Sequence, residues 1–165
     1  MRVLEPPDTH FVNAAQGWLD LSNPREAREE LKRVSTAAGN LPEVIEVRWQ
    51  ICALEQDWTS ALALARELIR RAPQQPGGWL NQSYSLHEMK RTQEAWDFLR
   101  PLVKRFPKNC TVAYNLACYA CQLGDLQEAK EWFHRALDLR GKEEIKKMGL
   151  HDADLLPLRE YIQAL

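Results

Sequence analysis

Residues 114–137 read YNLACYACQLGDLQEAKEWFHRAL, and this stretch decides the fold. Apolar residues recur in it at helical spacing on both sides of Leu123-Gly124-Asp125. Glycine at Gly124 is free to take a positive φ, which suits a tight turn at the end of a helix. The stretch therefore predicts two helices joined by a short turn.

The same pattern recurs along the chain with a step of 34 residues. Two sets of apolar residues and one set of helix breakers keep this step: Ala27, Ala61, Ala95 and Ala129; Leu31, Ala65, Leu99 and Phe133; Gly39, Pro73, Pro107 and Gly141. A fixed step of this length predicts stacked pairs of helices. We expect helices near residues 9–21, 24–37, 42–55, 58–71, 76–89, 92–105, 110–122 and 126–140.

The unit at 110–141 resembles the tetratricopeptide repeat (TPR) family, as does the preceding unit with Trp79, Ala95, Leu99 and Pro107. The resemblance covers roughly residues 8–141 and implies an all-α, right-handed superhelical solenoid of about four helix-turn-helix repeats. We expect one domain over residues 1–165. Its repeats lie near 8–41, 42–75, 76–109 and 110–141, followed by a capping tail at 142–165.

The tail carries one apolar helical face, formed by Leu155, Leu158, Ile162 and Leu165. The last repeat of a solenoid has an exposed apolar side, so this face is expected to cover it. Asp152 or Asp154 is predicted to cap the tail helix, whose first turn accommodates Pro157. The segment also resembles tails found after bacterial TPR arrays, which implies a bacterial source.

Two local features modify the regular pattern. Pro101 falls inside the predicted helix 92–105, where it is expected to kink that helix without ending it. Arg48 and Trp49 stand where the family pattern has a leucine and a small residue. Six tryptophans occupy different repeat positions; most are expected to pack between units, and an exposed one would mark a binding patch.

The composition excludes several classes of function. The 22 basic and 23 acidic residues nearly cancel, which is not typical of a nucleic-acid-binding protein. No apolar run reaches the ~18 residues of a membrane span, and the first residues lack a secretory signal. The four cysteines form no disulfide framework. We therefore expect a cytoplasmic protein with neither nucleic acid nor membrane as partner.

The resemblance implies that the first helices of the repeats line a concave groove that binds another protein or a peptide segment. The expected partner-binding residues are Asn13, Gln16, Glu46, Gln50, Asn81, Tyr84, His87, Tyr114, Asn115 and Cys118. Asn13, Asn81 and Asn115 share one repeat position, and their amides both donate and accept hydrogen bonds. They are candidates for holding an extended peptide, although asparagine is also common there for structural reasons.

No residue pattern predicts catalysis. Cys118-x-x-Cys121 lacks the strand that precedes a redox motif, and no second pair of ligands stands at zinc spacing. Buried thiols are the better interpretation. His151-Asp152-Ala153-Asp154 is explained by helix capping. We expect no catalytic residues, no metal ligands and no cofactor.

The leading functional hypothesis is a protein-interaction module that acts as an adaptor, scaffold, assembly factor or co-chaperone. The alternative is a substrate-specific chaperone similar to the small TPR chaperones of type III secretion. A third class, an enzyme or redox protein, would require a perturbed thiol or a bound metal. The identity of the partner and the oligomeric state stay open at this stage.

Overall fold

A computed structural model describes residues 3–165 of the chain. In that range all regular structure is helical and no strand occurs, which confirms the predicted all-α fold class of paired helices. The chain forms two compact units, Met1–Ser85 and Leu86–Leu165, whose boundary falls inside the helix Gly77–Glu88. Within the described residues, no helix is long and apolar enough to cross a bilayer.

The first unit is built from α1 (Asp8–Asp20), α2 (Pro24–Lys32), α3 (Pro42–Leu54), α4 (Trp58–Arg71) and most of α5 (Gly77–Glu88). Helix α1 packs against α2, and α3 packs against α4. Helix α3 also contacts both α1 and α2, so that the second helix pair stacks on the first.

The second unit contains α6 (Thr92–Leu99), α7 (Cys110–Gln122), α8 (Leu126–Arg140), α9 (Lys142–His151) and α10 (Arg159–Ala164). Two 3-10 helices, Arg100–Val103 and Ala153–Leu158, lie between these elements. Helix α7 packs against α6 and α8. Six of the eight predicted helices begin and end within one residue of their observed bounds.

The turns inside the repeats share one geometry, although only one of them contains glycine. Positive φ angles of 55°, 58°, 62° and 87° occur at Ser22, Gln56, Lys90 and Gly124. In each turn the next backbone N–H donates to a carbonyl five residues back, at 2.8–3.0 Å. This is the bond of a Schellman motif. Packing of the paired helices therefore imposes a positive φ on Ser22, Gln56 and Lys90, which are residue types that disfavour it.

The alanines with the 34-residue step are completely buried. Ala27, Ala61, Ala95 and Ala129 are all 0% exposed. A side chain of this size allows two helix backbones to approach closely, and larger residues such as Phe133 then fill the space beside it. The repeat inferred from the sequence is thus the packing repeat of the protein.

Two predicted helices are shorter than expected. Helix α2 ends at Lys32 rather than near residue 37, because the Asp8 carboxylate accepts from the backbone N–H of Ser35 at 2.7 Å and from its hydroxyl at 2.6 Å. The prediction that Pro101 only kinks its helix is wrong. Proline has no N–H to donate to the carbonyl of Asp97, so α6 ends at Leu99 and a 3-10 helix follows.

The tail packs back onto the last repeat. Helix α9 contacts α8, and the 3-10 helix Ala153–Leu158 contacts α7. Asp152 is the cap of this 3-10 helix, since its side chain accepts from the N–H of Asp154 at 2.9 Å. Leu155, Leu158 and Ile162 are at most 1% exposed. Three of the four predicted apolar tail positions are therefore fully buried.

Candidate functional site

Three of the expected partner-binding residues meet at one cavity in the first unit. Gln16 of α1, Gln50 of α3 and Tyr84 of α5 line a cavity of about 360 Å³. Trp49 and Trp58 form the rest of its aromatic wall. We call this feature, defined by these five side chains, the aromatic cavity.

The rings of the aromatic cavity are held edge to face. The Tyr84 ring centre lies 6.3 Å from that of Trp49 and 5.7 Å from that of Trp58. Tyr84 is 37% exposed, and the neighbouring Leu54 is 47% exposed. The cavity therefore combines apolar surface with two half-buried side-chain amides, of which that of Gln16 donates to the Asp20 carboxylate at 3.3 Å. This combination is suited to a peptide with apolar side chains.

Trp49 and Trp58 line the aromatic cavity but are not among the ten expected binding residues. The position of Trp49 in the other repeats holds Ala15, Ser83 and Ala117, each 0% exposed between helices. An indole is too large for that space, so Trp49 lies half-buried, and its Nε1 donates to the Ser85 hydroxyl at 3.1 Å. The signal was present in the sequence as a large residue at a small-residue position.

The amide of Asn81 is already used inside the first unit. Its Nδ2 lies 3.0 Å from both carboxylate oxygens of Glu46, and its backbone carbonyl accepts from the Ser85 hydroxyl at 2.7 Å. Asn81 is buried, whereas Asn13 is exposed and Asn115 is half-buried. The structure therefore brings the expected residues Asn81 and Glu46 together as a pair.

In the second unit, three other expected residues contact the tail. His87 Nε2 lies 2.9 Å from a carboxylate oxygen of Asp154, and the Tyr114 hydroxyl donates to Asp152 at 2.8 Å. The Cys118 thiol lies 3.7 Å from the same Asp152 oxygen. We call these five residues the tail anchor. His87, Tyr114 and Cys118 are all buried.

Two further contacts fix the tail beside the anchor. The Gln122 side chain donates to the backbone carbonyl of Asp154 at 2.8 Å. Gly149 approaches the Phe133 ring so closely that an added Cβ would lie 2.8 Å from two ring atoms. The first-helix surface of the last repeat is thus covered by the chain's own C-terminal segment.

The environment of the tail anchor keeps the Tyr114 hydroxyl and the Cys118 thiol protonated. Burial is the main cause that raises the pKa of Tyr114 and of Cys118, and the nearby carboxylates of Asp152 and Asp154 add to it. Burial together with Asp154 raises the pKa of Cys121 to about 11. A thiol is nucleophilic as its thiolate, so these cysteines are poorly suited to redox or covalent chemistry at neutral pH.

Cys118, Asp152 and Asp154 also offer the types of atom that bind metal ions. Their ligand atoms all lie within 4.8 Å of one another. Cysteine and carboxylate ligands are compatible with zinc, which usually takes four ligands in a structural site. Each of these side chains already takes part in the hydrogen bonds that hold the tail. The expectation of a metal-free protein stays a prediction, which elemental analysis would test.

Comparisons with known proteins extend this picture. Residues 110–142 match the family model of the tetratricopeptide repeat. No curated protein sequence matches the chain. Among solved structures, "MamA 41-end from Desulfovibrio magneticus RS-1" is similar, with a TM-score of 0.69 and 19% identity over 98% of this chain and 94% of that one.

Two further MamA structures share the fold. "MamA RS-1 ArsTM double mutant" gives a TM-score of 0.68 and 20% identity over 98% of this chain and 93% of that one. "MamA MSR-1 C2" gives 0.63 and 19% over 97% of each chain. At such identities the likeness concerns the fold alone. Residues 110–142 therefore match a tetratricopeptide repeat, and the chain as a whole shares the helical fold of these structures.

Proposed function

We propose that the protein is an interaction module that binds a segment of another protein at the aromatic cavity of its first unit. The observation that carries the proposal is the convergence of Gln16, Gln50 and Tyr84 with two tryptophans on one exposed surface. Binding of proteins is the property that TPR-family members share, and their first helices supply the binding surface.

The chemistry of the aromatic cavity suggests the kind of segment. Tryptophan and tyrosine bring large rigid surfaces at a low entropic cost and often dominate binding energy. Gln16 and Gln50 supply amides that can pair with a peptide backbone. Asp20 is the one charged residue that lines this cavity. We therefore expect an extended or helical segment with apolar side chains, bound with little dependence on salt.

The proposal includes a cytoplasmic adaptor or scaffold role without catalysis. Balanced charge speaks against nucleic acid as the main partner, and protonated thiols speak against cysteine chemistry. A substrate-specific chaperone would use the same surface. The identity of the bound protein would distinguish the two roles, since a pull-down with such a chaperone should recover one secreted subunit.

A pull-down with the full chain, followed by affinity measurements on the recovered partner, tests the site. Trp49→Ala combined with Tyr84→Ala should weaken binding by at least about tenfold, as expected for central aromatic residues. Alanine at position 49 matches the small residue of the other repeats, so the fold should tolerate it. Leu123→Ala, at a residue 42% exposed in the second unit, is the control.

Unchanged affinity in the folded double variant would refute the aromatic cavity as the binding site. The same conclusion would follow if the control lowered affinity as much as the double variant. Circular dichroism of each variant would establish that the helices are retained.

A further inference from the structure

We infer a second interaction surface in the second unit, which binds an acidic segment of a partner protein. It is a cleft of about 770 Å³ lined by residues of α6, the 3-10 helix Arg100–Val103, the following turn and α8. We call it the basic cleft and define it by Trp96, Arg100, Lys104, Trp132 and Arg135. It shares no residue with the aromatic cavity, so the two proposals stand independently.

Aromatic rings and guanidinium groups are paired along this cleft. The Trp96 and Trp132 ring centres lie 6.5 Å apart and meet edge to face at 79°. The guanidinium carbon of Arg100 lies 5.6 Å from the Trp96 ring centre, and that of Arg135 lies 5.7 Å from the Trp132 ring centre. Cation–π contacts of this kind restrain an arginine without using its hydrogen-bond donors.

Positive charge in the basic cleft is only partly neutralised. Three of its lining residues are basic, and Asp97 is the one acidic lining residue. Arg100 forms an ion pair with Glu128 at 3.4 Å. Among residues 3–165, neither Lys104 nor Arg135 forms an ion pair. Lys104 and Arg135 can therefore pair with a carboxylate of a partner, while Arg135 also donates to the backbone carbonyl of Pro107 at 3.4 Å.

The first unit contains the equivalent cavity, and it differs in the features that matter. Arg28, Lys32 and Leu64 stand 68 residues before Trp96, Arg100 and Trp132, and they line a cavity of about 360 Å³. There Arg28 pairs with Glu55, and Lys32 pairs with Glu29 at 2.6 Å. That cavity has no tryptophan among its lining residues, and two of its cations are neutralised.

The contrast identifies the occupant as an acidic segment that also carries apolar side chains. Arg135 offers a planar fork that suits a carboxylate, whereas Lys104 acts as a point charge. Pro101, Val103 and Pro107 add apolar surface between the charges. A peptide in which glutamates alternate with apolar residues would satisfy both requirements, because the cleft is lined by basic and by apolar side chains.

The test uses the full chain and a fluorescent peptide of repeated Glu-Leu-Glu-Pro, with a Gln-Leu-Gln-Pro peptide as the neutral probe. We expect saturable binding of the acidic peptide that weakens as salt is raised, and much weaker binding of the neutral one. Lys104→Ala with Arg135→Ala should weaken binding of the acidic peptide by about fivefold to tenfold, as the loss of two exposed ion pairs implies. Both side chains are exposed, so the fold should be retained.

The equivalent cavity provides the matched control, Arg28→Ala with Lys32→Ala, which should leave affinity for the acidic peptide within about twofold because those cations are already paired. Equal loss in the control, equal binding of the two peptides, or no saturable binding of the acidic peptide would each overturn the inference. Tyr84→Ala should leave peptide binding unchanged, which separates this surface from the aromatic cavity.

Discussion

Four residues at one repeat position, Gln16, Gln50, Tyr84 and Cys118, separate the two units of this protein. In the first unit, three of them line an open cavity with two tryptophans. In the second unit, Cys118 is 5% exposed and lies under the tail. Equivalent positions in a repeat thus share a helix face but not an environment, because the tail covers this face in the second unit.

The cavities lined by the second helices of the repeats, α2 and α4 in the first unit and α6 and α8 in the second, differ in the opposite sense. In the first unit Arg28 and Lys32, two of the three cations of this cavity, are paired with Glu55 and Glu29, whereas in the second unit Lys104 and Arg135 line a cleft with two tryptophans and form no ion pair within residues 3–165. Each unit therefore has one open surface with aromatic character, on different faces of its helix pairs. The predictions below test this difference, beginning with the largest expected effect.

Deleting residues 152–165 should have the largest effect. Leu155, Leu158 and Ile162 are fully buried, and burial of each contributes ~1.5–3 kcal/mol, so the loss should approach the whole stability of a marginally stable unit. We expect a lower melting temperature and self-association, measured by circular dichroism and size-exclusion chromatography. Leu156→Ala, at a tail residue 55% exposed, is the control. A monomeric product with unchanged melting would contradict a covering role for the tail.

Gly149→Ala should destabilise the protein by ~1–3 kcal/mol, because the added methyl group would overlap the Phe133 ring. Gly17→Ala is the counterpart in the first unit. Apart from the backbone of its own helix and its two chain neighbours, no atom lies within 4 Å of the new Cβ there, and the helix should gain up to ~1 kcal/mol. Urea unfolding of both variants measures whether each substitution lowers or raises the free energy of unfolding. Equal stability of Gly149→Ala and the wild type would mean that the tail packs less tightly on α8 than the structure shows.

Tyr114→Phe should cost ~1 kcal/mol, because it removes the hydroxyl that donates to Asp152 and leaves one fewer donor for this carboxylate. Asn13→Ala, at an exposed residue of the first unit, should change the free energy of unfolding much less. Denaturant midpoints at one pH measure both effects. If the two variants behave alike, the hydrogen bonds of the tail anchor contribute little to holding the tail.

A further expected effect is a pH dependence of stability in the alkaline range. The pKa of Cys121 is about 11 in the folded chain, against an ordinary value of 9.0. The unfolded thiol therefore loses its proton first, and stability should decline as the pH rises from about 9 to about 11. Cys121→Ala should flatten part of this decline relative to the wild type. Parallel curves for the two proteins would show that Cys121 does not contribute.

Much of the fold was predictable from the sequence, for a local reason. The alanine set with the 34-residue step marks positions where two helices touch, and the helix breakers mark where they end. The misses were α2 and α6. At the end of α2, the carboxylate of Asp8 in α1 accepts a hydrogen bond from the backbone N–H of Ser35. At Pro101, the lack of a backbone N–H ended the α-helix although the apolar pattern of the sequence continued beyond it.

The candidate sites were less predictable. Sequence reasoning placed Tyr84 and Tyr114 on the same surface of the repeats, and it assigned Trp49 no role in binding. It had no means to show that Asp152 would reach Tyr114, 38 residues away in sequence. The expected set of ten residues contains part of the aromatic cavity and part of the tail anchor. Whether any of them binds a partner stays a prediction.

The sequence by itself determined the helix pairs, their turns and the residues that pack between them, because those contacts recur at a fixed spacing along the chain. Tertiary structure alone decided which faces stay open. Whether a helix face is covered depends on contacts between residues that are far apart in sequence. Examples are Asp154 with His87 in the second unit and Trp49 with Ser85 in the first. Each of these contacts occurs only once among the described residues, so the repeat pattern of the sequence cannot predict it.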